Sequence, residues 1–138
     1  MKRIFLDTNV IVDLLMQREG VVASAMVLAK AKTAAIDLCV SVLTMANVAY
    51  ILRKVLIGKA LYKEMAKLAN FLSIADLKRE HLLSTLQLEA KDFEDALQYY
   101  CALENNCDII VTRNKKDFEY STIEVLTPEE CLQKYFNV

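Results

Sequence analysis

Glycine and proline are scarce in this sequence of 138 residues, which contains only 2 Gly and 1 Pro. Disordered chains and turn-rich all-β domains usually need more of both residues, so neither class is expected. Hydrophobic residues make up 55% of the chain, somewhat above the usual level for soluble domains. The length fits one hydrophobic core, and we predict a single domain over residues 1–138.

Histidine is almost absent, and the cysteines lack the spacing of a zinc site. His81 is the single histidine, and none of the four cysteines forms a C-x-x-C pair, so a Cys/His zinc site is not expected. Residues 1–3 lead directly into a strand-like run and not into the apolar segment of a signal peptide. We therefore expect a cytoplasmic protein with reduced thiols. No apolar run reaches the roughly 18 residues that a membrane span needs, so no membrane partner is expected.

Charge is nearly balanced overall but unevenly distributed. Residues 1–69 carry ten Lys/Arg and five Asp/Glu, whereas residues 70–138 carry seven and thirteen. Proteins that bind nucleic acid through overall charge are basic, and this chain has a net charge of −1. If it binds RNA, it needs local basic patches and a cation among its acidic side chains.

Short apolar runs alternate with helical segments along the chain. Strands are predicted at residues 2–6, 37–42, 72–75, 108–112 and 123–126. Helices are predicted at residues 10–17, 21–34, 44–57, 59–71, 79–89 and 93–105, and from residue 128 onward. This alternation predicts an α/β fold in which helices cover both faces of a parallel sheet.

Polar residues collect where the predicted strands end. They are Asp7, Ser41, Thr44, Thr112, Asn114 and Asp117. In open α/β sheets, ligands bind beyond the carboxyl ends of the strands, so these side chains predict a site along one edge of the sheet.

The acidic residues allow structural and functional interpretations. Asp7 is either the N-cap of the helix near residue 10 or part of the site, and Asp92 is expected to be a cap. Asp95 lies inside a helix with apolar neighbours and faces inward only if its charge is neutralised. Glu94 points about 100° away from Asp95 and is expected in solvent.

Asp117 and Asn114 add oxygen ligands from one polar loop. Carboxylates of Asp7, Asp95 and Asp117 that converge at one edge repel each other unless a cation lies between them. Oxygen-only ligands select a hard ion, so the predicted cofactor is Mg²⁺ or Mn²⁺.

Four runs of residues resemble the PIN-domain family, which includes VapC-type toxins of toxin–antitoxin pairs. They are residues 5–13 (FLDTNVIVD), 40–44 (VSVLT), 92–97 (DFEDAL) and 110–118 (IVTRNKKDF). Their order and spacing extend the resemblance from residue 3 to about residue 130. It implies a three-layer α/β/α sandwich with a central, mostly parallel sheet, and metal-dependent cleavage of single-stranded RNA.

The resemblance also implies roles for individual residues. The metal-binding and catalytic acids would be Asp7, Asp95 and Asp117. Contacts to the RNA are assigned to Asn9, Thr112, Arg113 and Asn114, with Arg113 beside a phosphate.

Two amides depart from the family pattern. Asn47 stands where PIN nucleases commonly carry a glutamate, and Asn114 stands where many carry an acid. The sequence resembles a branch of the family that has this Asn in place of the second acidic residue, together with D-F-E-D as at residues 92–95. An amide offers an oxygen but no negative charge, so weaker metal binding is expected. Asn47 and Glu94 are further candidates for the site, with Glu94 as a replacement for the missing acid. The alternative function is therefore a catalytically weak or inactive PIN-like module that binds RNA or protein.

Other features bear on partners. The apolar helices between residues 44 and 72 predict a homodimer, and the resemblance adds an antitoxin protein as a partner. Core or interface packing is favoured over base stacking for Tyr50, Tyr99 and Tyr100. A phospho-receiver domain is a third interpretation, but it needs an adjacent acid pair after the first strand, and Asp7 has no acidic neighbour.

Overall fold

The computed structural model describes residues 2–138 and places five strands in one sheet. The strands are β1 (Arg3–Leu6), β2 (Asp37–Ser41), β3 (Ser73–Ala75), β4 (Ile109–Val111) and β5 (Glu124–Leu126). Their order is β3-β2-β1-β4-β5, and every neighbouring pair is parallel. The predicted parallel sheet is confirmed, with β1 at its centre.

The helices connect these strands. They are α1 (Thr8–Met16), α2 (Val21–Thr33), α3 (Val42–Leu52), α4 (Lys59–Phe71), α5 (Arg79–Leu88), α6 (Phe93–Glu104) and α7 (Pro128–Phe136). A short 3₁₀ helix, Lys115–Phe118, follows β4. None of the helices within residues 2–138 is both long and apolar enough to cross a lipid bilayer.

Alternating side chains of the strands divide the core between two faces of the sheet. Ile4 and Leu6 belong to a buried cluster with residues of α1, α2, α3, α4 and α7, whereas Phe5 packs with residues of α6 on the other face. Helix α5 packs against α6. Since successive side chains of a strand point to opposite faces, this pattern gives the predicted three-layer α/β/α sandwich.

Helix α3 differs from its prediction at both ends. It begins at Val42 and not at residue 44, because Ser41 is the N-cap and forms a capping box with Thr44. The Ser41 Oγ accepts from the Thr44 N–H over 3.1 Å, and the Thr44 Oγ1 accepts from the Ser41 N–H over 3.2 Å. The helix ends at Leu52, five residues earlier than predicted, where the next residues form a turn.

Candidate active site

A cleft of about 540 Å³ opens where the strands of the sheet end. Helices α1, α3 and α6 and the segment after β4 contribute its lining. Its carboxylates belong to Asp7, Asp92, Glu94, Asp95 and Asp117, and its amides to Asn9, Asn47 and Asn114. The structure thus brings together every predicted site residue except Thr112 and Arg113.

Asp7 is both the N-cap of α1 and a member of the cleft. Its Oδ1 accepts from the Thr8 N–H over 2.8 Å, and its Oδ2 accepts from the Thr112 hydroxyl over 2.7 Å. Burial raises the pKa of Asp7, and the two hydrogen bonds act against that shift. The two interpretations of this residue are therefore compatible, because the cap also fixes the direction of the carboxylate.

Asp92, Asp95 and Asp117 form the tightest group of acids. One carboxylate oxygen from each lies within 4.8 Å of the other two. Asp92 is the N-cap of α6, with its Oδ1 accepting from the Asp95 N–H over 2.9 Å. Asp92 was predicted as a cap alone, but its carboxylate also lines the cleft. Asp92 and Asp95 are three residues apart, a spacing that brings side chains together on a helix surface, and this spacing could have indicated that both acids share one site.

Electrostatic repulsion in this group is large. Burial, followed by the charges of Asp7, Asp92 and Asp117, raises the pKa of Asp95 to about 8. A divalent cation offsets such repulsion, and the acids present only oxygen donors. This donor set fits Mg²⁺ or Mn²⁺ and not a soft metal.

Thr112 has a different role from the predicted contact with RNA. Its side chain is fully buried, and its hydroxyl donates to Asp7. The Thr112 hydroxyl oxygen in turn accepts from the Asn114 N–H over 3.1 Å. Thr112 therefore positions an acid of the cleft and has no surface to offer to a substrate.

Arg113 was predicted beside a phosphate of the RNA, but it pairs with a buried acid and does not line the cleft. Its Nε lies 2.6 Å from Oδ2 of Asp13, a carboxylate in α1 with no solvent exposure. A buried carboxylate is costly without a counter-charge, and the guanidinium supplies that charge. Asp13 was not predicted as the partner of Arg113, because nothing in the sequence indicates that residues 13 and 113 are in contact.

Glu94 is exposed, as predicted, yet it borders the cleft. Asn47 donates from Nδ2 to Oε1 of Glu94 over 2.6 Å, which connects α3 with α6. Burial, followed by the charges of Asp92 and Asp7, raises the pKa of Glu94, and the hydrogen bond from Asn47 lowers it.

A buried network joins the same two helices below this contact. Gln98 donates from Nε2 to Oγ1 of Thr44 over 3.0 Å and accepts from the Ser41 hydroxyl over 2.5 Å. Gln98 is only 1% exposed. The network holds α3 against α6 beneath the cleft.

Tyrosines divide between the core and the cleft. Tyr99 is buried and packs edge-on against Tyr100, with 5.1 Å between ring centroids, so core packing is confirmed for it. Tyr50 is 62% exposed and borders the cleft. The Arg53 guanidinium lies 4.1 Å from the centroid of the Tyr50 ring.

Sequence comparison gives two similarities. The PIN domain profile matches residues 3–116. Ribonuclease VapC1 of Aquifex aeolicus (strain VF5) is 32% identical over 144 residues, which cover 97% of this chain and 96% of that protein.

Similar folds occur among solved structures. FitAcB from Neisseria gonorrhoeae has a TM-score of 0.70 at 18% identity, over 91% of this chain and 98% of that one. A toxin–antitoxin complex from Klebsiella pneumoniae has a TM-score of 0.68 at 22% identity, over 90% of this chain and 96% of that one. Identities this low establish the shared fold alone.

Proposed function

The chain belongs to the PIN-domain family, and on that basis we propose that it is a metal-dependent endoribonuclease that cuts single-stranded RNA. One observation carries the proposal: the side chains of Asp7, Asp92, Asp95 and Asp117 converge in one cleft at the carboxyl ends of parallel strands. The name of the Aquifex relative, a ribonuclease, supports the choice of substrate.

In this proposal the aspartates hold Mg²⁺ or Mn²⁺. The predicted ligands are Asp7, Asp95 and Asp117, and Asp92 lies within reach of the last two. The bound ion would supply activation of water for attack on phosphorus and would offset negative charge on the phosphate. Asn9 and Asn114 border the cleft, where their amides can donate hydrogen bonds to the RNA backbone.

Cleavage of a varied pool of single-stranded RNA tests this function. We expect cleavage with Mn²⁺ or Mg²⁺, none with a chelator, and none from Asp7→Asn, which removes a charge with little change in shape. A folded wild-type protein that binds this RNA but leaves it intact with Mn²⁺ would favour the alternative, a binding module. The amide of Asn47 at a position where related nucleases carry an acid supports that second candidate.

We also propose that the chain is a cytoplasmic toxin of a toxin–antitoxin pair. The relatives support this, since one is a VapC-named ribonuclease and another structure is a toxin–antitoxin complex. Expression of the wild type should arrest bacterial growth, whereas expression of Asp7→Asn should not. Co-expression with the product of the adjacent gene should restore growth and yield a complex that purifies together.

The proposed assembly is a homodimer of single-domain chains. Apolar side chains of the α3–α4 region are exposed, with Val55 at 61%, Ile57 at 79% and Tyr62 at 77%. Such a group of exposed apolar residues is typical of an interface. Light scattering should give twice the mass of the chain for the wild type and the mass of one chain for Ile57→Asp.

A further inference from the structure

Asn47 of α3 and Glu94 of α6 are in contact on one side of the cleft. The amide nitrogen of Asn47 lies 2.6 Å from Oε1 of Glu94. An amide nitrogen is only a donor, so Asn47 engages one oxygen of the carboxylate and leaves the other available, and Glu94 belongs to the cleft lining. On this side of the cleft, the negative charge therefore belongs to Glu94.

A buried hydrogen bond, about one turn away from this pair on each helix, also joins α3 and α6. Gln98 lies one turn after Glu94 on α6, and Thr44 lies about one turn before Asn47 on α3. The hydrogen bond from Gln98 to Thr44 is buried, so it is protected from competition with water. The two helices are thus joined at two successive turns, and the upper contact directs Glu94 toward the cleft.

We propose that Glu94 is a further acid of the metal centre and that Asn47 is its positioning residue. This inference rests on the proposed function and adds one group to the same site. The charge that an acid at position 47 would supply then comes from the neighbouring helix. Asn47 acts through Glu94 and contributes the hydrogen bond that orients it.

Calorimetric titration of the full chain with Mn²⁺ tests the pair in a double-mutant cycle. Glu94→Gln should weaken Mn²⁺ affinity about tenfold, the size typical for groups that support a metal site. Asn47→Ala should also weaken it. The double variant should be no weaker than Glu94→Gln, since Asn47 has nothing left to position. Glu80→Gln, an exposed acid in the first turn of α5, is the matched control and should bind like the wild type.

Thermal unfolding separates this role from a structural one. Without metal, Glu94→Gln removes one of several carboxylates that repel each other, so its Tm should equal or exceed that of the wild type. The rise in Tm on adding Mn²⁺ should be smaller than in the wild type. If the hydrogen bond merely stabilised the fold, Asn47→Ala, which removes its donor, would lower the Tm without metal, and the rise on adding Mn²⁺ would be unchanged in both variants.

A charge exchange provides a further test. Adding Asn47→Glu to Glu94→Gln returns one carboxylate to the same side of the cleft, so it should recover most of the lost affinity. Failure to recover would overturn the assignment of the effect to charge. Additive losses in the cycle would overturn the positioning role of Asn47.

Two results distinguish this inference from the proposed function. Loss of Mn²⁺ binding in Asp7→Asn, together with unchanged binding in Glu94→Gln, overturns the inference and leaves the proposed function standing. Absence of Mn²⁺ binding in the folded wild type overturns both.

Discussion

Thr112 donates a hydrogen bond to Oδ2 of Asp7 over 2.7 Å and thereby connects the segment after β4 with the acid after β1. Thr112→Val keeps the shape of the side chain but removes this donor. We expect Mn²⁺ affinity to fall about tenfold while the fold is retained, because supporting hydrogen bonds contribute effects of this size. Calorimetry measures the affinity and circular dichroism checks the fold. Thr33→Val, which removes an exposed hydroxyl from α2, should have no effect on the affinity.

Stability of the metal-free protein should depend on pH through Asp95. Its pKa is raised from 3.8 to about 8, chiefly by burial and then by the charges of Asp7, Asp92 and Asp117. Between these two values the folded state binds the proton more tightly than the unfolded state, so the free energy of unfolding falls as pH rises toward 8. Thermal unfolding in chelator between pH 5 and pH 8 measures this slope.

Asp95→Asn is the control for that prediction. The amide does not ionise, so the decline in stability over the same pH range should become shallower. An unchanged slope in Asp95→Asn would assign the pH dependence to other groups of the cleft.

Arg113 should matter for stability more than for phosphate binding. Arg113→Ala removes the partner of the fully buried Asp13 carboxylate and leaves only the charge of Arg18 to act on it, and burial already raises the pKa of Asp13. Because Arg113 is itself partly exposed, we expect a loss of about 1–3 kcal/mol in the free energy of unfolding, the cost of leaving a buried polar group without its partner. Denaturant titration at neutral pH measures it.

The double variant Arg113→Ala with Asp13→Asn should recover much of this loss, because the uncompensated charge disappears with it. If Arg113→Ala leaves stability unchanged but weakens RNA binding, the original assignment of Arg113 to phosphate is correct.

We expect Tyr50, at the rim of the cleft, to stack on a base of bound RNA. Its ring is exposed, and Arg53 lies against it. Tyr50→Ala should weaken binding of single-stranded RNA by about 1–3 kcal/mol, the usual contribution of one stacked base, whereas Tyr50→Phe should bind like the wild type. Fluorescence anisotropy in chelator measures binding without cleavage. Leu86→Ala is the control, since Leu86 is an exposed apolar residue of α5 that lies outside the cleft lining.

Periodicity and chain order made most of the fold predictable. Ile4 and Leu6 alternate with Phe5 in a buried strand, and this pattern is visible in the sequence. The position of Asp7 directly after that strand predicted its place at the edge where the strands end, and Asp7 lines the cleft there. The last helix begins with a capping box in which Thr127 and Glu130 exchange hydrogen bonds, and these residue types at this spacing are readable in the sequence.

Contacts between distant segments were not predictable. Asp13 and Arg113 are one hundred residues apart, and Asn47 and Glu94 belong to helices whose crossing depends on the buried Gln98. Helical spacing identifies which side chains share a face, but it does not reveal what that face meets. The sequence therefore placed Asp7, Asp95 and Asp117 at one edge of the sheet, where they line one cleft, but it misjudged the surroundings of Arg113.

The central position of β1 has a consequence for protein synthesis. Its neighbour β4 pairs Ile4 with Ile109, so more than a hundred residues must be translated before the middle of the sheet can close. Asp117 follows still later, and the cleft needs it beside the acids of α6. At elongation rates of about 5–20 residues per second, a nascent chain spends seconds on the ribosome without this arrangement. The acidic cleft is therefore complete only after Asp117 has left the exit tunnel, so shorter nascent chains lack the arrangement on which the proposed RNA cleavage depends.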